Sequence, residues 1–560
     1  MMLDEFSQYY AGFLTGIYDC VDRIVLNGYF RLGYSPGGFR TWWRNLHAGS
    51  DADLDNAHLM RMAGRVSRRV HAYAKAHKLP IIDCAAGQRK DELAQQYLPR
   101  EPQFVGLFLI LVGRAPAPIW NVTVSPNGKI VELARKRTQV NHYAFHIIDP
   151  QWGHVVIKMC GHPPFELQII LNGHEYVARQ ALRQGIRFVK EDNCFTMVSD
   201  GAQLAEVADT LGSQDPVGHL RQLCDRWVYS VCLCFGLDTA DQQKTGFVYD
   251  YAIYQVEYSR NLLFKQGRQL DQVFQGVIDR TRGPLQLKTV KTIFGSRTRP
   301  RRRAHHCPPR VEAVLETPTY DLTVFKLHFG QLTAKLYSKG EHVLRSEVIV
   351  HNVQALALGR SLAKFAQVVE RLKEILQRFL QALHCIDVCC IDAGTLEAWP
   401  LPTQMGETRV AGIDINRPRL RSVMQAVIAL AAAPQGFRLA DLTQQVCALA
   451  GLPTASYTVR QAAYDLKKFR AKDLVAKIGR SRRYTVPPLA LKAMTAFLVL
   501  KDKVIRPVLA TLQLPATNPR PDQPSDLDEH YLRLQADLRS LFQTIGIAAD
   551  TDRQSFVLVT

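Results

Sequence analysis

The sequence predicts a multidomain protein of the α/β (α+β) class, with mixed sheets in its N-terminal and central parts. Three observations carry this prediction. A chain of 560 residues is longer than one hydrophobic core organises, which favours about three or four domains. An apolar content of 47% and a charged content of 22% are those of a folded protein. Short apolar runs of strand length also alternate along the chain with segments whose apolar residues recur every three or four positions.

The first predicted domain, residues 1–135, contains a β-α-β unit. A β run ends at Asp83, a helix opens after Gly87, and the apolar run 106–112 has the character of a buried strand. Ligands often bind at the carboxyl end of such a strand. One hypothesis is therefore a polar site formed by Asp83, Arg89, Lys90 and Glu92. The interpretation we favour is that these residues cap the helix and face solvent.

Arginines and aromatic residues are interleaved between residues 27 and 44. The arginines are Arg31, Arg40 and Arg44, and the aromatic residues are Tyr29, Phe30, Tyr34, Phe39, Trp42 and Trp43. Such mixing suits the stacking of unpaired bases beside phosphate contacts. It suits equally well a core flanked by turns, and both interpretations stay open here.

The second predicted domain, residues 136–293, is rich in histidine. Asp149, His162, His174 and Glu175 lie at predicted strand ends and turns, where they could hold Mg²⁺ or Mn²⁺ and activate water against a phosphodiester. Neither a His-Glu-x-x-His pair nor a His-hydrophobic-His strand is present. The alternative is a rigid polar platform for nucleic acid. The spacing of these residues defines no particular set of metal ligands.

Residues 294–310 form a predicted linker with five arginines and no carboxylate, among them Arg301, Arg302 and Arg303. Their mutual repulsion favours an open tether, and phosphate contact is an equal alternative. Residues 311–400 then predict a β-sheet followed by a long amphipathic helix over 362–383. Its apolar seam predicts packing against the chain's own sheet, or against a second copy in a homodimer.

The segment 417–512 predicts a small helical domain. Two helices joined by a turn, Phe437–Ala450 and Val459–Lys472, precede two short β runs around Gly479. Between Gly436 and Pro488 there are ten Lys and Arg against three acids, a balance of 10 − 3 = +7.

That order, over about residues 417–488, resembles the winged helix-turn-helix family of DNA-binding domains. The resemblance implies that the second helix enters the major groove while the hairpin contacts the backbone. It assigns nucleic-acid contacts to eight residues: Arg460, Gln461, Tyr464, Lys467, Lys468, Arg480, Arg482 and Arg483.

A second resemblance involves the pattern Tyr337-Ser-Lys339 followed by Leu344-Arg345-Ser-Glu347. It is similar to a strand pair of some phage and plasmid replication initiators, although their metal-binding His-hydrophobic-His motif is missing here. The whole chain resembles a bacterial protein family connected with mobile elements, a resemblance that implies no catalytic residues.

Bulk properties point to a polyanion partner. The net charge is +19 and the sequence pI is about 9.4. The N-terminus lacks the order of a signal peptide, no apolar run reaches the length of a membrane span, and the twelve cysteines form no framework. These features predict a cytoplasmic protein that does not bind membranes. Residues 513–526 are predicted to be a disordered linker, and 527–560 to contain a last helix.

We therefore expect a nucleic-acid-binding protein that binds DNA through its C-terminal winged helix, with further basic surfaces for DNA or RNA. Two alternatives remain: a metal-dependent nuclease or replication/transposition protein, and an RNA-binding partner of a structured RNA. The nuclease alternative needs Asp149, His162, His174 and Glu175, or Asp83 and Glu347, to converge.

Overall fold

A mixed sheet of twelve strands organises the first and larger part of the chain. The computed structural model describes residues 4–282 apart from 86 and 127–129, residues 284, 290–291 and 311–319, residues 322–506 apart from 452, 454 and 455, and short stretches between 529 and 540. The chain divides into two units. Unit 1 comprises Met1–Asp279 and Leu287–Leu380, and unit 2 comprises Arg280–Gln286 and Gln381–Thr560.

The strands of this sheet come from the whole length of unit 1. They are β1 (Leu14–Phe30), β2 (Ile81–Asp83), β3 (Gly106–Val124), β4 (Ile130–Asp149), β5 (Gly153–Cys160), β6 (Leu167–Asn172), β9 (Tyr249–Phe264), β10 (Val290–Lys291), β11 (Val311–Thr319), β12 (Leu322–Phe329), β13 (Leu332–Lys339) and β14 (Val343–Val350). Their order is β10-β11-β12-β13-β14-β9-β1-β6-β5-β4-β3-β2. The segments 1–135, 136–293 and 311–400, for which the sequence predicted separate domains, therefore contribute to one sheet.

The sheet contains both parallel and antiparallel pairs of strands. β2 pairs parallel with β3, and α4 (Lys90–Gln96) lies between them in the chain, which confirms the predicted β-α-β unit. The central pairs β9–β1 and β1–β6 are antiparallel. Two strands, β7 (Phe188–Glu191) and β8 (Cys194–Val198), form a separate antiparallel hairpin.

The two faces of the sheet differ in burial. Along β6, Leu167, Ile169 and Leu171 are buried while the residues between them are partly exposed, and β5 alternates in the same way. Such alternation is typical of a sheet with one face packed on a core and the other in contact with water. One face of β5 and β6 is therefore in contact with solvent, whereas β14 is buried on both faces.

The helices up to residue 387 supply the packing layer. They are α1 (Glu5–Tyr9), α2 (Pro36–Leu46), α3 (Asn56–Ala76), α4, α5 (Gly173–Arg183), α6 (Gly201–Ser213), α7 (Pro216–Trp227), α8 (Thr239–Thr245), α9 (Gly267–Arg282) and α10 (Phe365–Asp387). The predicted long amphipathic helix is α10, and its seam residues Phe365, Val369, Leu372 and Leu376 are buried within the chain. Homodimer formation through this seam remains a prediction, although the chain itself already covers these residues.

Unit 2 contains short helices and two small hairpins. They are α11 (Ala393–Ala398), β15 (Thr403–Met405), β16 (Thr408–Val410), α12 (Pro418–Leu430), α13 (Leu439–Ala450), α14 (Val459–Ala471), β17 (Ala476–Lys477), β18 (Tyr484–Thr485) and α15 (Pro488–Leu500). The linkers at 294–310 and 513–526 lie outside the described residues, as does most of the last predicted helix. Among the described residues, none of the helices combines the length and the apolar character that crossing a bilayer requires.

Candidate functional site

In unit 2, α13, α14 and the β17–β18 hairpin follow one another with well-defined ends. α13 stops at Gly451, whose left-handed backbone (φ 64°) closes the helix. α14 starts with a capping box, in which the Gln461 N–H donates to Thr458 Oγ1 (3.3 Å) and the Thr458 N–H donates to Gln461 Oε1 (2.8 Å). The chain therefore fixes where α14 begins, and Gln461, predicted to contact nucleic acid, takes part in this cap.

The segment before α13 joins the hairpin. The Phe437 N–H donates to the Tyr484 carbonyl (2.9 Å) and the Tyr484 N–H donates to the Phe437 carbonyl (2.8 Å). Gly436 precedes this bridge with a φ of 70°, and a Cβ there would lie 2.4 Å from the Tyr484 carbonyl oxygen. Glycine is therefore required at this approach, which ties the hairpin to the base of α13.

The two sides of α14 differ in exposure, but Val459, which the helical spacing places on the core side, is exposed. Ala462, Leu466 and Phe469 are buried and pack into unit 2. The opposite side, at positions one helical turn apart, consists of Val459, Arg460, Ala463, Tyr464 and Lys467. Lys467 is partly buried and the other four are exposed, so α14 presents one continuous outward stripe.

The only carboxylate within α14 is withdrawn from this stripe. Asp465 is fully buried, accepts a hydrogen bond from Arg419 Nη2 (2.8 Å), and accepts a second from the Tyr457 hydroxyl (3.0 Å). A charged group in such a position is stable because it is paired and hydrogen-bonded. The outward stripe of α14 therefore carries positive charge without an opposing carboxylate of its own.

Two of the residues predicted to contact nucleic acid are buried or partly buried. Lys468 is only 9% exposed, and its Nζ lies 5.0 Å from the centre of the Tyr464 ring, a cation–π contact. Arg483 is partly buried and donates from Nη1 to the Gly436 carbonyl (3.1 Å). Helical spacing places Lys468 on the polar side of α14, because spacing gives the position of the Cα atom and not the direction of a long side chain. In the structure the Lys468 side chain folds back against the Tyr464 ring. Arg480 and Arg482 are exposed at the hairpin, whereas Arg301, Arg302 and Arg303 lie outside the described residues.

In unit 1, three of the four predicted catalytic residues have separate structural partners. Asp149 is fully buried and accepts hydrogen bonds from two backbone N–H groups, from the Trp227 indole (2.8 Å) and from Arg226 Nη1 (2.5 Å). His162 is buried, with Nδ1 3.0 Å from the Pro163 carbonyl. Glu175 forms an ion pair with Lys190 (2.6 Å). A shared catalytic role for these residues remains a prediction.

The fourth residue, His174, belongs to a buried charge network that the sequence did not reveal. Its Nδ1 lies 2.6 Å from Asp22 Oδ1, and the other oxygen of Asp22 is paired with Arg345 Nη2. On the far side of the ring, Nε2 lies 3.5 Å from the Tyr18 hydroxyl. Asp22, His174 and Arg345 are all fully buried. The network therefore joins β1, β14 and the start of α5 through charged groups withdrawn from water.

The charge states in this network follow from its contacts. Burial works to raise the pKa of Asp22, but Arg345 and then His174 lower it to about 2. Burial lowers the pKa of His174, and Asp22 opposes that effect. At neutral pH, Asp22 is therefore ionised and His174 is neutral, so the carboxylate of Asp22 is balanced by the guanidinium of Arg345.

A second group of charges lies beside the first on β9, β13 and β14. Glu347 accepts a hydrogen bond from the Tyr337 hydroxyl (3.0 Å), and its Oε2 lies 3.4 Å from Lys335 Nζ. Burial, and next the proximity of Glu347, raise the pKa of Glu257 to about 8. Tyr337, Arg345 and Glu347, which carry the resemblance to replication initiators, are thus members of one polar layer on the sheet.

Cys20, Asp22 and His174 place three ligand atoms within 4.8 Å of one another, the spacing of a metal site. Three features oppose this use. Arg345 already brings a positive charge to Asp22, and burial raises the pKa of the Cys20 thiol well above its usual value, which keeps the thiol protonated. Mg²⁺ and Mn²⁺ also prefer oxygen ligands over a thiol. The donor set therefore does not fit the ions that the sequence suggested.

Two other sequence hypotheses can be placed on the fold. Asp83 and Glu347 lie on β2 and β14, seven strands apart, which is roughly 34 Å at the usual strand spacing. They therefore do not converge, so this pair does not meet the condition that the nuclease alternative requires. In the aromatic-arginine segment, Phe39, Trp42 and Trp43 are fully buried, as a core requires, whereas Tyr34 is half exposed.

Comparisons of the chain with protein-family models, with curated proteins and with solved structures found no match.

Proposed function

We propose that the protein binds double-stranded DNA, with α12, α13, α14 and the β17–β18 hairpin acting as a winged helix. In this proposal α14 lies in the major groove, where Arg460, Tyr464 and Lys467 reach base edges or phosphates. Arg480 and Arg482 contact the backbone from the hairpin. The bridge between Phe437 and Tyr484 supports this assignment because it adds a third strand segment to the hairpin, as a wing requires.

The observation that carries the proposal is the burial of Asp465. A recognition helix must approach a polyanion closely, and an exposed carboxylate on that side would repel phosphate. Because Asp465 is withdrawn and paired with Arg419, the outward stripe of α14 contains only neutral and cationic side chains. The exposed cations of the hairpin extend this surface in unit 2.

The test is the salt dependence of duplex binding by the full chain. The double substitution Arg460→Ala with Lys467→Ala should weaken binding and reduce the slope of log affinity against log salt by about one unit per lost phosphate contact. Arg268→Ala with Lys364→Ala removes the same charge from exposed positions of unit 1 and serves as the matched control. Equal slopes for the two double variants would refute the assignment of α14.

A further inference from the structure

A cavity of about 210 Å³ lies on the polar face of the sheet in unit 1. It is lined by residues of β1, β3, β4, β5 and β6 and by Tyr34, which follows β1. Glu166, just before β6, also lines it, and its carboxylate is paired with Arg135 Nη2 (2.7 Å). Pockets that enclose whole drug-sized ligands measure about 300–1,000 Å³. The volume therefore suits one planar ring system more than a large ligand.

The floor of the cavity offers a hydrogen-bond donor and an acceptor side by side. Asn27 pairs with Gln168 across β1 and β6, and Gln168 pairs with Lys158 across β6 and β5. Gln168 Nε2 donates to Asn27 Oδ1 (3.1 Å). Among the described residues, the Asn27 amide N–H groups and the Gln168 carbonyl oxygen have no further side-chain partner. Paired amides of this kind leave one donor group and one acceptor for a ligand.

The walls supply an aromatic surface and a second acceptor. Tyr29 and Tyr34 meet edge to face with their ring centres 5.2 Å apart, and Arg135 lies over the Tyr34 ring at 4.7 Å. His142 Nδ1 lies 3.1 Å from the Val140 carbonyl, to which it donates, so Nε2 of the neutral ring is an acceptor. Lys158 adds a cation to the lining. Adjacent donor and acceptor, an aromatic wall and a cation are the groups that recognise a base attached to a phosphate.

We propose that this cavity binds an unpaired nucleobase, with Asn27 and Gln168 reading its hydrogen-bonding edge and Tyr34 contacting its ring. The base could belong to a single strand or to a free nucleotide, since both present the same edge. This site goes beyond duplex binding by α14 and does not rest on it, because the cavity lies wholly in unit 1.

The experiment uses the full chain carrying Arg460→Ala and Lys467→Ala, so that a contribution of α14 is removed from every measurement. Fluorescence anisotropy compares short labelled oligo(dA) and oligo(dC) with an abasic oligonucleotide of equal length. Calorimetry with dAMP and dCMP tests free nucleotides. Binding of the strands alone assigns the site to single-stranded DNA, and binding of the mononucleotides as well extends it to free nucleotides.

Substitutions then locate the site. Gln168→Ala should weaken the base-bearing ligands about ten- to hundredfold, the range expected for a paired amide contact, and leave the abasic strand unchanged. Tyr34→Ala, at a half-exposed position, should weaken them as well. Gln139→Ala, an exposed glutamine of β4 outside the cavity, is the control. Equal binding of base-bearing and abasic ligands, or no effect of Tyr34→Ala, would overturn the proposal.

Discussion

The buried pair of Asp22 and Arg345 provides the most demanding test of how the sheet is held together. Both side chains have no exposed surface, and the two residues lie 323 positions apart in the chain. Arg345→Met keeps an apolar chain of similar length but removes the charge. The carboxylate of Asp22 would then be buried beside the His174 ring, 2.6 Å away, which is neutral and does not compensate its charge.

The loss of an ion-pair partner for the Asp22 carboxylate determines how much stability Arg345→Met should cost. Removing one partner of a buried ion pair costs about 3–5 kcal/mol of the free energy of unfolding, because the other charge stays buried without compensation. The cost should depend on pH. In the wild-type protein the pKa of Asp22 is lowered to about 2, so its contribution is present above its unfolded pKa of about 3.9 and is lost as the pH falls through 2. In the variant, burial raises that pKa, so protonation removes the penalty and the two proteins converge in acid.

Hydrogen exchange of β1 and β14 peptides measures this cost, because it reports the opening free energy of unit 1 separately from unit 2. Arg371→Met is the matched control, since it breaks the exposed pair Arg371–Glu374 (2.8 Å) and should cost less than about 1 kcal/mol. The double variant Asp22→Asn with Arg345→Met should recover part of the lost stability. A loss below about 1 kcal/mol for Arg345→Met at neutral pH, or a loss independent of pH, would refute the reasoning.

Three further predictions concern substitutions of single residues. The pKa of Glu257 is raised from 4.5 to about 8, so the free energy of unfolding of the wild-type protein falls as the pH rises through this interval. Glu257→Gln should therefore be more stable than the wild type near pH 8, by at least about 1 kcal/mol in urea titrations. Gly173→Ala would place a Cβ 1.8 Å from a backbone carbonyl oxygen and should lower the free energy of unfolding by about 1–3 kcal/mol, whereas Gly37→Ala, with open space around it, should change thermal stability little. Arg483→Ala should lower the melting temperature of unit 2 more than Arg480→Ala, because Arg483 is partly buried and donates to the Gly436 carbonyl before α13, whereas Arg480 is exposed.

The spacing of apolar residues along the sequence predicted several helices and strands correctly. The three- and four-residue spacing located α10, α13 and α14, and the run ending at Asp83 located β2 and the β-α-β unit. Periodicity also separated most buried residues of α14 from exposed ones, but it placed Val459 with the core, and the structure exposes it. It could not place Lys468, because that depends on a contact with the Tyr464 ring.

Long-range pairing was not available from the sequence. β1 pairs with β9 more than 200 residues away, so nothing local indicated that three predicted domains share one sheet. A usable signal was nevertheless present: Asp19 and Asp22 lie in a strand whose residues are mostly apolar, and a buried carboxylate in such a position requires a partner. The position of that partner, Arg345, depends on the register of β14 against β9, which no pattern within β1 encodes.

The central position of β1 has a consequence for synthesis. β1 lies between β6 and β9, both of which follow it in the chain, so its two edges stay unpaired until residues 172 and 264 have been translated. During that interval the nascent chain exposes a long, largely apolar strand, which is the kind of surface that invites aggregation and chaperone binding. Truncations that end before β9 should consequently accumulate in inclusion bodies, whereas a chain that includes β9 can pair both edges of β1.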